Sequence, residues 1–490
     1  MSILNVNKIN PVGGGSTITI TGIASVTGSI SVASSVTAGS IHGNLTGDVT
    51  GSGANLTSLP SAQLTGTIAD ARFPATLPAV SGANLTNVSA SSLSGNPSIN
   101  TTGIVTATAF VPTVGQLSHR NIIVNGAMNV AQRGSTSTSQ GYQTVDRFST
   151  GNSGLDEAPT RQQVDVAVPS SPYNLPTSGA HPYKEGFRKA FYVQNGNQTS
   201  GAGAGDYLYI RYKVEAQDLA NSGWLSTSAS SYLTLSFWVK SSVAQNFYCR
   251  LESQDGTKRN YPFETGSLSA FTWTKITKTI PGNTSPTVDV DNNNGAGMEI
   301  HWEMFRGTDF TDNSVSNDTW ATYASGTRTK DQTSTWYTTN DASFQITGVQ
   351  LEVGPVATPF EHRSYGEELI RCKRYFNLVA DGADARSGQG RSEGVIGNGF
   401  FWQSTRMMVP VKFDVRMRTP DWTLYKKNGE YRYYANGQSN QTCGQGDIGL
   451  NGQDGSIQAS LNITNINSSS AAGMFFVHDA NAALGFDAEL

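Results

Sequence analysis

The alternation of apolar and polar positions is clearest from Phe344 to Val353. Phe344 and Ile346 alternate with polar neighbours, as in a half-buried strand. After Gly348 the phase inverts, and Val349, Leu351 and Val353 become the apolar set. An inversion at a glycine predicts a β-bulge, because one extra residue swaps the faces that side chains point to. Gly354-Pro355 ends the strand, and Pro359 keeps the following residues extended. Ser364 with Glu367 then matches a capping box. Glu367 and Glu368 in the first turn, with Arg371, Lys373 and Arg374 in the last, complement the helix dipole. A short connecting helix is expected over residues 361–376. Its stripe of Tyr365, Leu369, Cys372 and Phe376 either packs on its own domain or meets two copies of itself as a trimerisation surface.

The same period-2 pattern marks strands at Tyr207–Val214, Tyr232–Val239, Asn246–Leu251, Phe271–Ile276 and Met298–Met304, separated by turn signals such as Asp255-Gly256 and Pro281-Gly282. Residues 118–360 therefore read as a β-sandwich. Residues 377–490 read as a smaller β-rich tip domain, with a strand at Val411–Met417 and a loop in the glycine-rich run Gly382–Gly399. Asn428-Gly429 signals a two-residue hairpin of type I′. That register sets Lys427 against Glu430, Tyr425 against Arg432 and Thr423 against Tyr434. Trp422, Leu424, Tyr431 and Tyr433 take the buried face. Tyr425, Arg432 and Tyr434 are left on the polar face as a candidate glycan-binding set, since exposed aromatics beside an arginine suit a sugar ring.

Residues 1–117 are different in kind. They hold only four charged residues, Lys8, Asp48, Asp70 and Arg72, and two aromatics, Phe73 and Phe110. One copy cannot bury enough apolar surface to offset its ordering entropy. Ser16–Thr21 and Ser29–Ala33 alternate strictly, and Ser52-Gly-Ala-Asn-Leu-Thr57 returns at Ser81-Gly-Ala-Asn-Leu-Thr86. Repeats of this kind are stabilised by stacking on neighbours. The expectation is a thin trimeric shaft over 31–117, rather than a flexible linker.

Composition narrows the function. Net charge is −4 and the sequence pI about 5.9, without the basic stripe that nucleic acid requires. No run of about 18 apolar residues is present to insert in a membrane. Met1–Asn7 lacks the basic and apolar regions of a signal peptide. Cys249, Cys372 and Cys443 are too few and too dispersed for a disulfide framework, so buried free thiols are expected.

Candidate chemistry is sparse. Asp289-Val-Asp291-Asn-Asn293-Asn-Gly295 resembles half a calcium loop, but its glycine and Glu299 are each one place out of register, and a polar turn is the better reading. His301 and His362 lack partners at metal-ligand spacing. Glu299 and Glu303 share a face but have backbones roughly 13 Å apart, too far for the about 5–10 Å of a glycosidase pair. Asp309 and Asp312 fall in a loop. No enzyme, metal or cofactor is therefore expected.

Three stretches carry a resemblance. Asn121-Ile-Ile-Val-Asn-Gly-Ala-Met-Asn-Val-Ala-Gln-Arg-Gly134 with Val145-Asp-Arg-Phe148, the run from Ile346 to Phe376, and Phe486-Asp-Ala-Glu-Leu490 resemble bacteriophage (cyanophage-like) trimeric tail, neck or capsid fibre proteins. The resemblance implies a jelly-roll sandwich followed by a C-terminal tip. It also implies a homotrimer on the virion exterior, with residues 1–30 as the anchor to other virion proteins. The expected function is that of a tail fibre binding host-surface polysaccharide without breaking bonds. The alternatives are a structural neck or capsid decoration fibre and a glycan depolymerase.

Overall fold

The computed structural model describes residues 118–166, 180–384, 394–435, 441–452, 455–467, 470–479 and 481–490, with isolated positions between Ile9 and Thr37. The chain divides into two units, Met1–Val105 and Thr106–Leu490. Apart from those isolated positions, the anchor and the trimeric shaft lie outside the described residues.

The second unit is built mainly of antiparallel β-structure. Its sandwich strands are β1 (Thr136–Ser137), β2 (Phe148–Ser153), β3 (Thr160–Asp165), β4 (Lys189–Gln194), β5 (Tyr207–Glu215), β6 (Tyr232–Ser241), β7 (Asn246–Ser253), β8 (Arg259–Ser267), β9 (Thr274–Pro281), β10 (Ala296–Arg306), β11 (Ala321–Thr322) and β12 (Ser343–Val353). They form two six-stranded sheets, ordered β1-β3-β4-β12-β6-β9 and β11-β8-β7-β10-β5-β2, in a jelly-roll-like sandwich. Phe148, Phe237, Trp302, Trp336 and Phe344 are among the fully buried residues between them. The strand expected at Phe271 begins instead at Thr274; Phe271 has a positive φ of 58° and is 74% exposed.

The bulge in β12 forms where the phase inversion placed it. Pairing with β6 shifts between Thr347 and Gln350, and Gly348 has φ 62°. The extra residue lets Phe344, Ile346, Val349 and Leu351 all enter one core. The bulged edge is taken up by the segment from Asn121. Ile122 N–H donates to the Leu351 carbonyl at 2.9 Å, Val349 N–H to the Gly126 carbonyl at 2.9 Å, and the Asn121 amide to the Val349 carbonyl at 3.2 Å.

The connecting helix spans Tyr365–Lys373, and its capping box is present: Glu367 N–H donates to Ser364 Oγ, and Ser364 N–H to the Glu367 carboxylate. The stripe assigned to trimerisation is redistributed. Cys372 is buried against Val124 and Val130 of its own chain, with Leu369 packed alongside. Phe376 has left the helix for a strand, where the Arg133 guanidinium lies 3.6 Å from its ring centroid. Tyr365 stays exposed, as does Ile370. The inner face of the capped helix thus packs on its own sandwich. Among the described residues no helix is long and apolar enough to cross a membrane.

The tip strands are β13 (Phe376–Asp381), β14 (Gly394–Gln403), β15 (Arg406–Lys412), β16 (Thr423–Lys426), β17 (Tyr431–Ala435), β18 (Gln441–Cys443), β19 (Ile448–Gly452), β20 (Gln458–Ile463), β21 (Ala472–Val477) and β22 (Ala483–Asp487). A three-stranded sheet, β13-β22-β16, closes with a seven-stranded sheet, β18-β17-β21-β14-β15-β20-β19, over a second core containing Trp422, Tyr431, Phe475 and Phe486. The glycine-rich run is not all loop, since β14 occupies its end. The strand expected over Val411–Met417 stops at Lys412, although Val411, Phe413 and Met417 are buried as its alternation required. Cys249, Cys372 and Cys443 are all buried free thiols.

Candidate functional site

The Asn428-Gly429 turn does not close a hairpin. β16 pairs with β22 and β17 pairs with β21, so the turn carries the chain from one sheet to the other. Gly429 is pressed against Ala482, where a Cβ would lie 2.3 Å from the Ala482 nitrogen. Lys427 is therefore not opposite Glu430, which instead accepts hydrogen bonds from Arg432 Nε at 3.0 Å and Thr442 Oγ at 2.8 Å. Tyr425 is separated from Arg432 and Tyr434. It packs edge-on against Phe376, ring centroids 5.0 Å apart, and burial raises the pKa of its phenol. The expected in-and-out pattern nevertheless holds for the large residues: Trp422, Tyr431 and Tyr433 are buried, whereas Tyr434 is 48% exposed.

Arg432 and Tyr434 belong to a larger surface. One face of the seven-stranded sheet sends Tyr433, Phe475, Phe401, Met407 and Ile463 into the tip core. On the other face, Tyr434 pairs with Met474, and Met474 with Asn398 of β14. Two residues further along β14, Phe400 pairs with Met408. Trp402 follows at a shift of register between Phe401 and Gln403. Phe400 is 48% exposed and Trp402 66%. Strand geometry sets Phe400 about 7 Å from Trp402 and about 12 Å from Tyr434. Sequence reasoning missed Phe400 and Trp402 because they follow the glycines assigned to a loop. The available signal was the aromatic run Phe400-Phe401-Trp402, which a strand must split between two faces.

The sandwich carries a second concentration of functional groups, with a different character. Glu299, His301 and Glu303 alternate along β10, facing away from the core; their neighbours are Glu252 and Arg250 on β7 and Lys213 and Arg211 on β5. His301 Nε2 lies 2.9 Å from the Glu299 carboxylate, and Glu303 receives Arg250 Nε at 3.0 Å and Arg306 at 2.8 Å. Burial and the Arg250 charge hold His301 down to about 4. Against the cost of burial, Arg306 and Arg250 hold Glu303 down to about 2. Against the same cost, the His301 hydrogen bond and the charges of His301, Arg211 and Lys213 hold Glu299 well below the usual carboxylate range.

The ligand atoms of Glu252, Glu299 and His301 lie within 4.8 Å of one another, a proximity that spacing on β10 alone could not reveal. Their carboxylates, however, already pair with Arg211, Lys213, Arg250 and Lys258. A cation would have to displace these basic groups, so the donor set fits an ion-pair lattice better than a metal centre. Glu303, the other half of the carboxylate pair considered above, is fully buried. The Asp289–Gly295 segment is organised by its own bonds: Gly295 N–H donates to Asn293 Oδ1, and Asp291 N–H to the Asp255 carboxylate. His362 is fixed between Phe187 and Phe360.

No family model matches the chain, and no characterised protein matches it in sequence. Among solved structures, it is similar to the enzymatically active domain of tailspike protein 4 of bacteriophage CBA120, with 10% identity, 48% of this chain and 21% of that one covered, and a TM-score of 0.24. It is also similar to a family 11 carbohydrate-binding module from Clostridium thermocellum in complex with a mixed-linked tetrasaccharide (13% identity, 46% and 98% covered, TM-score 0.20). The N-terminal tandem CBM22 domain of Paenibacillus barcinonensis Xyn10C is a third (8% identity, 78% and 98% covered, TM-score 0.22). The chain thus spans about a fifth of the tailspike chain it matches. Likenesses this slight carry no residue's role across to this chain.

Proposed function

We propose that this chain is a homotrimeric phage fibre, a tail fibre, that attaches to host-surface glycan by non-covalent binding at its tip while its N-terminal region joins the virion. The observation that carries the reading is the exposed aromatic row Phe400, Trp402 and Tyr434 on a sheet whose opposite face is a closed core. Aromatic rings stack on the apolar faces of pyranoses, and Arg432 and Asn398 on the same face supply hydrogen bonds to hydroxyls. A row spanning more than about 10 Å suits an oligosaccharide rather than one ring. The resemblance in three separate stretches supports the fibre part of the reading.

The test is binding of the full protein to a glycan array, with a Trp402→Ala/Tyr434→Ala variant alongside. The variant should keep its oligomeric mass and lose both array binding and adsorption to host cells. Undiminished adsorption would exclude this face, and release of reducing sugar from host polysaccharide would replace binding by cleavage.

A further inference from the structure

Away from the tip, a cleft of about 570 Å³ opens on the sandwich beside β9, lined by Glu185, Lys275, Thr277, Ala357, Phe360 and His362. Its volume falls within the range of about 300–1,000 Å³ typical of small-ligand sites. We infer that this cleft is a separate carbohydrate site, which takes a single neutral pyranose by a pair of adjacent hydroxyls. The cleft shares no residue with the aromatic row of the tip.

The polar end of the cleft is fixed in place. The Glu185 carboxylate accepts from Lys275 Nζ at 2.9 and 3.1 Å and from the indole N–H of Trp238 at 3.1 Å. Trp238 is buried, so it anchors the carboxylate from below. Gly186 follows with φ 97°, and a Cβ there would lie 3.1 Å from the His362 ring; glycine lets that ring close over the backbone. His362 Nε2 lies 2.7 Å from the Glu185 carbonyl. A carbonyl oxygen only accepts, so Nε2 carries the proton and Nδ1 is left as an acceptor.

These groups match a diol. An ionised carboxylate offers about four lone-pair directions, and three bonds do not exhaust them. Lys275 has three donors, and its two hydrogen bonds to Glu185 leave one of them over. A hydroxyl between the two can donate to Glu185 and accept from Lys275, while its neighbour reaches Thr277 or His362 Nδ1. Phe360 and Ala357 supply the apolar wall that the ring's C–H face requires. Glu185 and Lys275 cancel in charge, which disfavours phosphate, sulfate or a cationic ligand. Preorganised donors and acceptors also lower the ordering cost of binding.

The probes are methyl α- and β-pyranosides of the common hexoses, titrated into the full-length protein by saturation-transfer NMR and calorimetry. At least one should bind with a Kd of about 1 mM, as expected for a ligand of this size. Ala357→Trp fills the cleft from its rim without removing a hydrogen bond, and Lys275→Met removes the donor; each should weaken binding about tenfold or more. The Trp402→Ala/Tyr434→Ala variant should bind the monosaccharide as the parent does. The inference is overturned if no pyranoside binds the parent, or if Ala357→Trp and Lys275→Met bind it unchanged. It is overturned equally if the tip variant abolishes binding, which would leave the tip reading intact and assign the sugar there. Loss of array binding in the tip variant, with monosaccharide binding preserved, would support both sites independently.

Discussion

The carboxylate of Glu489 is bound by the guanidinium of Arg147, 342 positions earlier in the chain. Arg147 is fully buried, lies 3.5 Å from the Tyr375 ring centroid and donates to the Lys213 carbonyl at 2.7 Å. Glu489 also reaches Arg133 at 3.5 Å, and Arg133 pairs with Asp487 at 2.9 Å. Two buried arginines of the sandwich thus depend on two carboxylates, one from the last residue of β22 and one from the segment that follows it. Glu489→Ala would leave the Arg147 guanidinium buried without its carboxylate and Arg133 with Asp487 as its remaining ion pair, and should destabilise the second unit by about 3–5 kcal/mol. Arg147→Met combined with Glu489→Ala should recover part of that loss. Urea unfolding of the three proteins measures it, and a single-variant loss below about 0.5 kcal/mol would show the pair to be idle.

Gly348 supplies the next test. Its φ of 62° disfavours any side chain, and a Cβ would lie 2.6 Å from the Phe187 ring. Gly348→Ala should cost about 2–4 kcal/mol, combining left-handed strain with displacement of a buried ring. Gly354→Ala has a positive φ but open space around it, so it should cost less. Equal midpoints for the two variants would contradict this account of the bulge.

The lattice on β10 makes the sandwich acid-sensitive in two steps. His301 sits among Arg250, Arg211, Glu252, Glu299, Glu303 and Tyr209 and titrates near 4 when folded. The unfolded chain takes up that proton first, near the ordinary 6.5, so stability falls as pH drops from 6.5 towards 4, at up to about 1.4 kcal/mol per pH unit. Glu299 and Glu303 are held below their ordinary 4.5. Their contribution is complete above that value and is lost below it. His301→Gln should flatten the upper step and shrink the lower one, because the His301 charge helps to hold Glu299 and Glu303 low. Urea midpoints at pH 7, 5 and 4 separate the two, and a parent profile flat from 7 to 4 would contradict the first step.

Tyr425 and Tyr434 should behave as opposites. Tyr425→Ala removes a packed ring against Phe376 and should lower stability by about 2 kcal/mol while sparing adsorption. Tyr434→Ala should change stability by less than about 0.5 kcal/mol and reduce adsorption. The reverse pattern would place the contact surface elsewhere.

What the chain discloses by itself depends on how local the cause is. The bulge at Gly348 and the capping box at Ser364 are set by residues within a few positions, and both are present as read. Asn428-Gly429 carries the same kind of local signal, yet β21 and β22, some fifty residues later, claim the two strands on either side. Gly394, Gly397 and Gly399 resemble loop composition, but a Cβ on Gly399 would lie 2.3 Å from the Met408 carbonyl, so glycine there serves close strand packing. The Glu299–His301–Glu303 lattice was invisible because Arg250 and Glu252 come from another strand. The stretches with recognisable resemblance turn out to meet one another. The segment from Asn121 lies on Val349 and Leu351, Asn125 N–H donates to Glu368, and Arg133 and Arg147 hold the terminal carboxylates. They mark a joint of the architecture and lie apart from the surfaces proposed to meet sugar.

That joint bears on how such a chain could acquire a new specificity by recombination. A crossover at the connecting helix looks convenient, because it separates two cores. It would nevertheless bring a foreign pair of terminal carboxylates to the resident Arg133 and Arg147, and a foreign β13 to the guanidinium above Phe376. Heads could be exchanged there only between lineages that keep the same arginine–carboxylate match. Otherwise sandwich and tip have to be inherited together.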